Sequence, residues 1–582
     1  MANASTYLLP VPIDPVVAAL TNGTYWQIGP TRVITWAIAD NPSFAFGNPF
    51  VISSTLADAL GEIEKFVNVD FVYGGYWGDV RLSPAELTYT VLDFPLANAI
   101  FSSGALAFAV FPNEYFGAEQ ATYLAGSPAN YPYAEGDVFL NGPVLRAYGY
   151  DTFWDGSAGK FVLIHETGHA LGLKHPHDDG GTGRPTFASI GLSTDVRIEF
   201  SYGDGYDVDA FTAMSYNDDL SLNLWSGDPA TLMPLDVIAL QWLYGANPST
   251  NAGDTTHYLT RDGAYRTVWD ASGADTLDAS FADTGWIVAL QTPTDVALLQ
   301  SHLQRLAVAV PILPSGDVDE TTLQWTFDAE NVWGSMYSDL IIGSDGPNLL
   351  GGNPGDDIVA GLGGNDVVVG NAGDDLLDGG AGDDVLAGGP GDDQLIDEEG
   401  RDIAVFAGSH ASYRIVRLGD TWQVIDEGGS DGTDDLIAIE RLFFADSFVA
   451  VDLDGAAGNT AKLIGAIFGE QYLIPEFVGI GISFFDAGWS MIQVAQLALN
   501  TDLYVQLAGS RSNADFVQLV YENVVGFAPS ASEQAYYQGF LDRGDMTQAQ
   551  LAVMAAETAE NALNIDLIGL SSTGIEFIPF GG

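Results

Sequence analysis

The spacing of apolar residues changes along the chain, and each change predicts a different kind of element. Up to about residue 250, "RVITWAIAD", "GALAFAVFPN" and "GDVFLNG" read as strands, whereas "STLADALGEIEKFV" and "KFVLIHETGHALGL" repeat their apolar positions at helical spacing. A third helix is expected in "MPLDVIALQWLYGAN", which has Pro in its first turn and Gly245 at its end. Strands mixed with helices in this way predict an α+β domain.

From residue 343 the period is nine. "GSDGPNLLG", "GNPGDDIVA", "GLGGNDVVV", "GNAGDDLLD", "GGAGDDVLA" and "GGPGDDQLI" are six consecutive nonapeptides, and "GSMYSDLII" at 334–342 is a degenerate copy with Tyr337 in place of the fourth-position Gly. A Gly-rich turn of six residues precedes a short strand whose apolar eighth position (Leu350, Val359, Val368, Leu377, Leu386, Leu395) points inward. The stretch 286–333 receives no assignment. After 400, "RDIAVFAGSHASYRIVRLGDTWQVIDEGG" alternates like antiparallel strands closing the array. From about 456 the pattern is helical, and "FFDAG" at 484 and "FLDRG" at 540 echo each other, which predicts a small all-α domain made by a degenerate duplication. The expected division is 1–255, 256–455 and 456–582.

Charge and composition narrow the function. The net charge is -60, from 78 acidic and 18 basic residues, so the chain repels nucleic acid and anionic membranes, and bound cations are expected to neutralise it. There is no cysteine, so a transition metal has only His, Asp, Glu or Tyr to hold it. No Lys or Arg precedes Arg32, so no cleaved N-terminal signal is expected, and no apolar run approaches the roughly 20 residues of a membrane span.

Four of the seven histidines lie in "HETGHALGLKHPH" at 165–177. On a helix His165 and His169 share a face, and Gly172 can take a left-handed conformation that turns the chain and returns His175 to the same point. Three imidazoles with a fourth position left open describe a catalytic zinc rather than a structural one. His177 falls outside the pattern and is expected to be a solvated neighbour.

"HETGHALGLKH" meets every specified position of the metzincin signature, and with "TAMSY" downstream the chain resembles the serralysin branch of that group. "ITWAIAD", "LMPLDVIALQWLYGAN" and "TVWDASGADTLDAS" extend the likeness over roughly residues 30 to 450. The resemblance implies a metzincin fold with His165, His169 and His175 as zinc ligands and Glu166 as general base. It further implies Met214 as the floor under the metal and Tyr216 as a switchable fifth ligand that can assist the oxyanion. By family position, the substrate polypeptide would lie along "GALAFAVFPN".

The sixth repeat positions are Asn348, Asp357, Asp366, Asp375, Asp384 and Asp393, with Asp339 in the degenerate copy, and residues 343–396 hold eleven Asp but no Lys, Arg or Glu. Stacked turns need counter-ions, and several structural calcium ions bound to these residues answer that need. The resemblance implies a parallel β-roll of the RTX type, exported unfolded by type I secretion machinery through an uncleaved C-terminal signal, for which "NIDLIGLSSTGIEFIPFGG" is the natural candidate. The segment "FVQLVYENVVGFAPSASEQAYYQGFLDRGDMTQAQLAVMAAETAEN" resembles a helical module of unknown role found beside RTX repeats; it is a cap or a binding unit for an unknown partner.

The expected protein is therefore a secreted, extracellular, monomeric zinc endopeptidase acting on polypeptides and stabilised by calcium. The alternative is a calcium-dependent surface or adhesion protein whose metzincin domain is a silent scaffold. The retention of Glu166, the three histidines and Tyr216 favours the enzyme.

Overall fold

The computed structural model describes residues 3–4, 14–22, 25–28, 30, 32–39, 49–77, 86–92, 107–109, 138–141, 157–177, 184–190, 211–215, 229–291, 305–319, 321–397 and 399–580. Tyr216 and most of "GALAFAVFPN" lie outside them. The chain divides into two compact units, Met1–Met336 and Tyr337–Gly582.

In the first unit, strands β1 (Val33–Ala39), β2 (Asp70–Trp77), β3 (Glu86–Leu92), β4 (Ala107–Ala109) and β5 (Val138–Asn141) form one sheet in the order β2-β1-β3-β5-β4. All pairs are parallel except β4 with β5. The parallel pair β1–β2 needs a crossover, supplied by the helix Pro49–Phe66. That helix buries Leu56, Ala59, Leu60, Ile63 and Phe66, a single apolar stripe at helical spacing.

The histidine-bearing helix is Ala158–Leu171, and the closing helix is Pro234–Tyr244. A short helix, Pro15–Leu20, is capped by Asp14, which accepts the amides of Val16 and Val17. The unassigned stretch 286–333 holds the antiparallel strands Trp286–Ala289, Leu306–Pro311 and Leu323–Phe327. Leu306–Pro311 is buried along its whole length, so no alternation marked it.

In the second unit the nonapeptides pair in parallel at a constant offset of 18 residues. Leu340, Ile358, Leu376 and Gln394 stack in one sheet, and Leu349, Val367, Val385 and Ile403 in the other. Two nine-residue units thus make one coil, and the eighth-position side chains fill its interior at 0–1% exposure. The parallel β-roll implied by the resemblance is present. It runs further than expected, because Ile403–Val405 pairs in parallel with Val385–Ala387 and Arg441–Phe443. The reading of "RDIAV" as the first antiparallel strand is thereby corrected; antiparallel pairing begins at the hairpin Tyr413–Leu418 and Thr421–Asp426.

The last part of the chain is a helical array whose duplication is visible. The helices Pro475–Asp486 and Ala531–Asp542 both end before a glycine at positive φ, Gly488 and Gly544. Each is followed by a capping box, Ser490 with Gln493 and Thr547 with Gln550, that opens the helices Met491–Leu499 and Gln548–Ala556. Tyr504, Phe516 and Ala552 lie at the centre of the apolar core. The region is not purely helical, because Ile575–Phe577 returns as a strand antiparallel to Phe448–Ala450. Among the described residues no helix is long and apolar enough to cross a membrane.

Candidate active site and calcium ladder

Ser157 opens the histidine helix by accepting the Lys160 amide. Gly172, at φ 108, closes it, with the amides of Gly172 and Leu173 returning to His169 and Gly168. The returning strand is held by the short N-terminal helix, since Asn22 donates to Gly172 and Lys174 to Leu20 through their backbones (2.8 and 2.9 Å). His175 is thereby brought over the helix, as the glycine turn predicted.

The three imidazoles converge. His165 Nδ1 donates to the Ala213 carbonyl at 2.6 Å and His169 Nδ1 to the Leu173 carbonyl at 2.8 Å. These bonds leave both Nε2 lone pairs aimed at His175 Nε2, 3.1 and 3.0 Å away. Lone pairs held so close repel unless a cation lies between them, and carbonyl-bound Nδ1 is the usual support of a metal-binding imidazole. Burial, then the neighbouring His169, lowers the His165 pKa to about 3, which keeps the ring a neutral ligand. His177 is exposed and stacks on His175, in keeping with a solvated neighbour.

Glu166 is buried beside this cluster, and its Oε2 has no hydrogen-bond partner among the described residues. Burial raises its pKa to about 8. Met214 is fully buried beneath the helix. Two groups here escaped the sequence reading. Asp236, on the closing helix, accepts the Thr212 hydroxyl and the Ala213 amide, both at 2.6 Å, and the Met233 amide at 3.1 Å. It therefore holds the turn whose Ala213 carbonyl orients His165. Lys174, fully buried, donates to the His175 carbonyl at 3.1 Å. Asp236 had a detectable signal, an acidic residue at the third position of a helix; Lys174 had none.

In the roll, the sixth-position residues form a ladder. The amides of Asp339, Asn348, Asp357, Asp366 and Asp375 donate to Oδ1 of Asp357, Asp366, Asp375, Asp384 and Asp393, at 2.6–2.9 Å. The second oxygen, Oδ2, of those five acceptors is buried and has no hydrogen-bond partner among the described residues. At Gly352 and Gly361 a Cβ would lie 2.1 and 2.3 Å from the Oδ2 of Asp357 and Asp366, so the first repeat position must be glycine to leave room over these oxygens. Burial pushes Asp357, Asp366 and Asp393 up to about 7, with neighbouring carboxylates adding to it. Orphaned, desolvated carboxylate oxygens in a regular row are a donor set for calcium.

The ladder extends past the legible repeats. The backbone amides of Asp384, Asp393 and Asp402 donate to the carboxylates of Asp402, Asp434 and Glu440. Asp384, Asp397 and Asp402 bring carboxylate oxygens within 4.8 Å of one another. In the first unit, Thr255 and Asp275 repeat the arrangement with Asp275 and Glu330. Here the glycines that carry the pattern are replaced or respaced, which hid these residues.

The profile of the RTX calcium-binding nonapeptide repeat (4 copies) matches residues 333–368 and 360–395. A domain of unknown function, DUF4214, matches residues 495–565. Metallopeptidase AprA of Pseudomonas marginalis is 29% identical over 294 residues, covering 47% of this chain and 52% of its own. The chain is a relative of the serralysin-type RTX metalloproteases. Serralysin G of Dickeya chrysanthemi is 29% identical over 311 residues, covering 48% of this chain and 58% of its own. Serralysin of Proteus mirabilis is 32% identical over 211 residues, 33% and 37% of the two chains. The chain spans about half the length of the first of these relatives. The cofactors expected of a serralysin-type relative are zinc for the imidazole cluster and calcium for the roll, and the two donor sets fit them.

Proposed function

We propose that this chain is a secreted zinc-dependent endopeptidase with a metzincin catalytic domain, held in working shape by calcium in its roll. The observation that carries this reading is the convergence of three Nε2 atoms beside a buried, unpartnered Glu166 oxygen. His165, His169 and His175 are the assigned zinc ligands. Zinc bound there supplies Lewis-acid chemistry, acidifying a water and polarising a peptide carbonyl.

The chain's own residues do the rest. Glu166 accepts the proton of the attacking water and delivers it to the departing amine. Its burial excludes competing solvent from that carboxylate. Met214 packs under the helix and fixes the level of His165 and His169. Tyr216, outside the described residues, is assigned to the oxyanion by resemblance. The substrate polypeptide is assigned to the sheet edge, where β4 is the last strand and lies against the histidine helix, an arrangement that supports docking by strand addition.

The working domain assignment is 1–255, 256–455 and 456–582. The calcium set is Asp339, Asn348, Asp357, Asp366, Asp375, Asp384 and Asp393, to which the ladder adds Asp402, Asp434 and Glu440. An acidic roll that needs calcium to neutralise it suits export through a type I channel and folding outside the cell, as a monomer.

The test is casein hydrolysis in calcium by the full chain and by Glu166→Gln, with bound zinc measured in both. Removing a general base is expected to lower turnover by about 10²–10⁴-fold while zinc stays bound. Substantial hydrolysis by the variant would remove Glu166 from its role, and no hydrolysis by the zinc-loaded parent on casein or a peptide library would leave the domain a silent scaffold.

A further inference from the structure

The histidine helix ends on hydrogen bonds from side chains that the mechanism above does not use. The last four carbonyls of a helix have no partner within it. In Ala158–Leu171 the chain reversal answers two of them, since the Leu173 amide donates to Gly168 and the Gly172 amide to His169, both at 2.9 Å. The other two are met from distant parts of the chain. The Trp26 indole donates to the Ala170 carbonyl at 2.9 Å, and the Tyr244 hydroxyl donates to the Leu171 carbonyl at 2.7 Å. The same hydroxyl accepts the Trp26 amide at 3.2 Å, which joins the two supports.

Trp26 is 0% and Tyr244 4% exposed, so water does not stand in for either donor. Tyr244 is itself anchored, because Arg32 Nη1 donates to its carbonyl at 2.7 Å and to that of Asn68 at 3.1 Å. The Leu171 carbonyl lies midway along the segment that sets the ligand directions. His169 stands two residues before it, and Leu173, whose carbonyl holds the His169 ring, two residues after, with His175 next but one. Tyr244 is the last residue of the closing helix Pro234–Tyr244. Asp236, about 12 Å away along the same axis, holds the Ala213 turn behind His165. The closing helix thus supports one ligand from its first turn and the other two from its last.

We propose that Tyr244 is a positioning residue of the zinc centre, its hydroxyl fixing the last turn of the histidine helix and, through that turn, the directions of His169 and His175. The role presupposes that these histidines hold the zinc, and it differs from packing alone in acting on ligand geometry.

The test compares the full calcium-loaded parent with Tyr244→Phe, which removes only the hydroxyl, and with Ile63→Val, a core change on the crossover helix Pro49–Phe66. Zinc Kd is read by competition with a chelating dye, and ligand geometry by the visible spectrum of the cobalt-substituted proteins. Tyr244→Phe raises the zinc Kd about tenfold, the lower end of the effect of losing a support behind a metal ligand, and alters the cobalt bands. Ile63→Val lowers the melting temperature and leaves both readings at their parent values. Trp26→Phe, which loses the indole donor to Ala170, moves both readings in the same direction as Tyr244→Phe and replaces it should that variant fail to fold. An unchanged Kd and cobalt spectrum in folded Tyr244→Phe overturns the role, as do equal changes in Ile63→Val. A parent that binds no zinc overturns the ligand assignment itself, and the role with it.

Discussion

The sulfur of Met214 lies 2.7 Å from the point where a Cβ on Gly168 would stand. The glycine in "HETGH" is thus the notch that lets the floor residue reach the helix. Alanine in a helix interior is worth about 1 kcal/mol over glycine, whereas overpacking a tight core costs about 1–3 kcal/mol. Gly168→Ala is expected to lose stability on balance and to weaken zinc retention; a variant that melts higher than the parent with zinc bound would show that the contact relaxes freely. Met214→Leu, which keeps the volume, is expected to cost less than about 1.5 kcal/mol.

Asp236 acts on the zinc site through the Ala213 turn. Loss of such a support behind a metal ligand typically weakens metal binding about 10–100-fold. Asp236→Ala is therefore expected to raise the zinc Kd by that factor in competition with a chelating dye, while Asp236→Asn, which can still accept the Ala213 and Met233 amides, stays within a few-fold of the parent. Equal loss in both variants would mean that the carboxylate's charge, not its hydrogen bonds, holds the turn.

The same residue gives a pH signature. Burial raises the Asp236 pKa to about 7, against about 4 in the unfolded chain. Between these values the folded chain keeps a proton that the unfolded chain has lost, so the group's contribution to stability is largest in acid and declines as pH rises to about 7. Asp236→Asn has no such proton, so its melting temperature relative to the parent should rise between pH 5 and pH 8. A constant difference across that range would contradict the shift.

Calcium dependence should follow the buried carboxylates. Chelation is expected to abolish the β signal of the roll in circular dichroism, and Asp366→Ala to shift the calcium midpoint of refolding upward. Asp345→Ala, at an exposed third position, should leave the midpoint unchanged. Equal effects of the two variants would point to general charge neutralisation instead of ligation.

What could be read in advance was what recurs locally. The glycine turn at 172, the shared face of His165 and His169, and the inward eighth positions follow from periodicity and backbone freedom. The coil with Asp402 was missed because "DEEGRD" keeps the turn length, Gly400 at the fourth position and the sixth-position Asp, but has Asp397 where the first-position glycine should be. Leu306–Pro311 was missed because a strand buried on both faces has no polar alternation. Asp236 and Lys174 act through contacts made only after distant segments meet, so no spacing announces them.

Each rung of the ladder takes its acceptor from the stacked turn one coil, or 18 residues, further on, and the last acceptors, Asp434 and Glu440, come from outside the repeats. Beyond them, the strand at Phe448 gains its outer neighbour only from residues 575–577. An interrupted chain lacks the far end of this sequence of handholds. The strand at Phe448 is therefore left unpaired on its outer side until that distant segment has been made and has folded back.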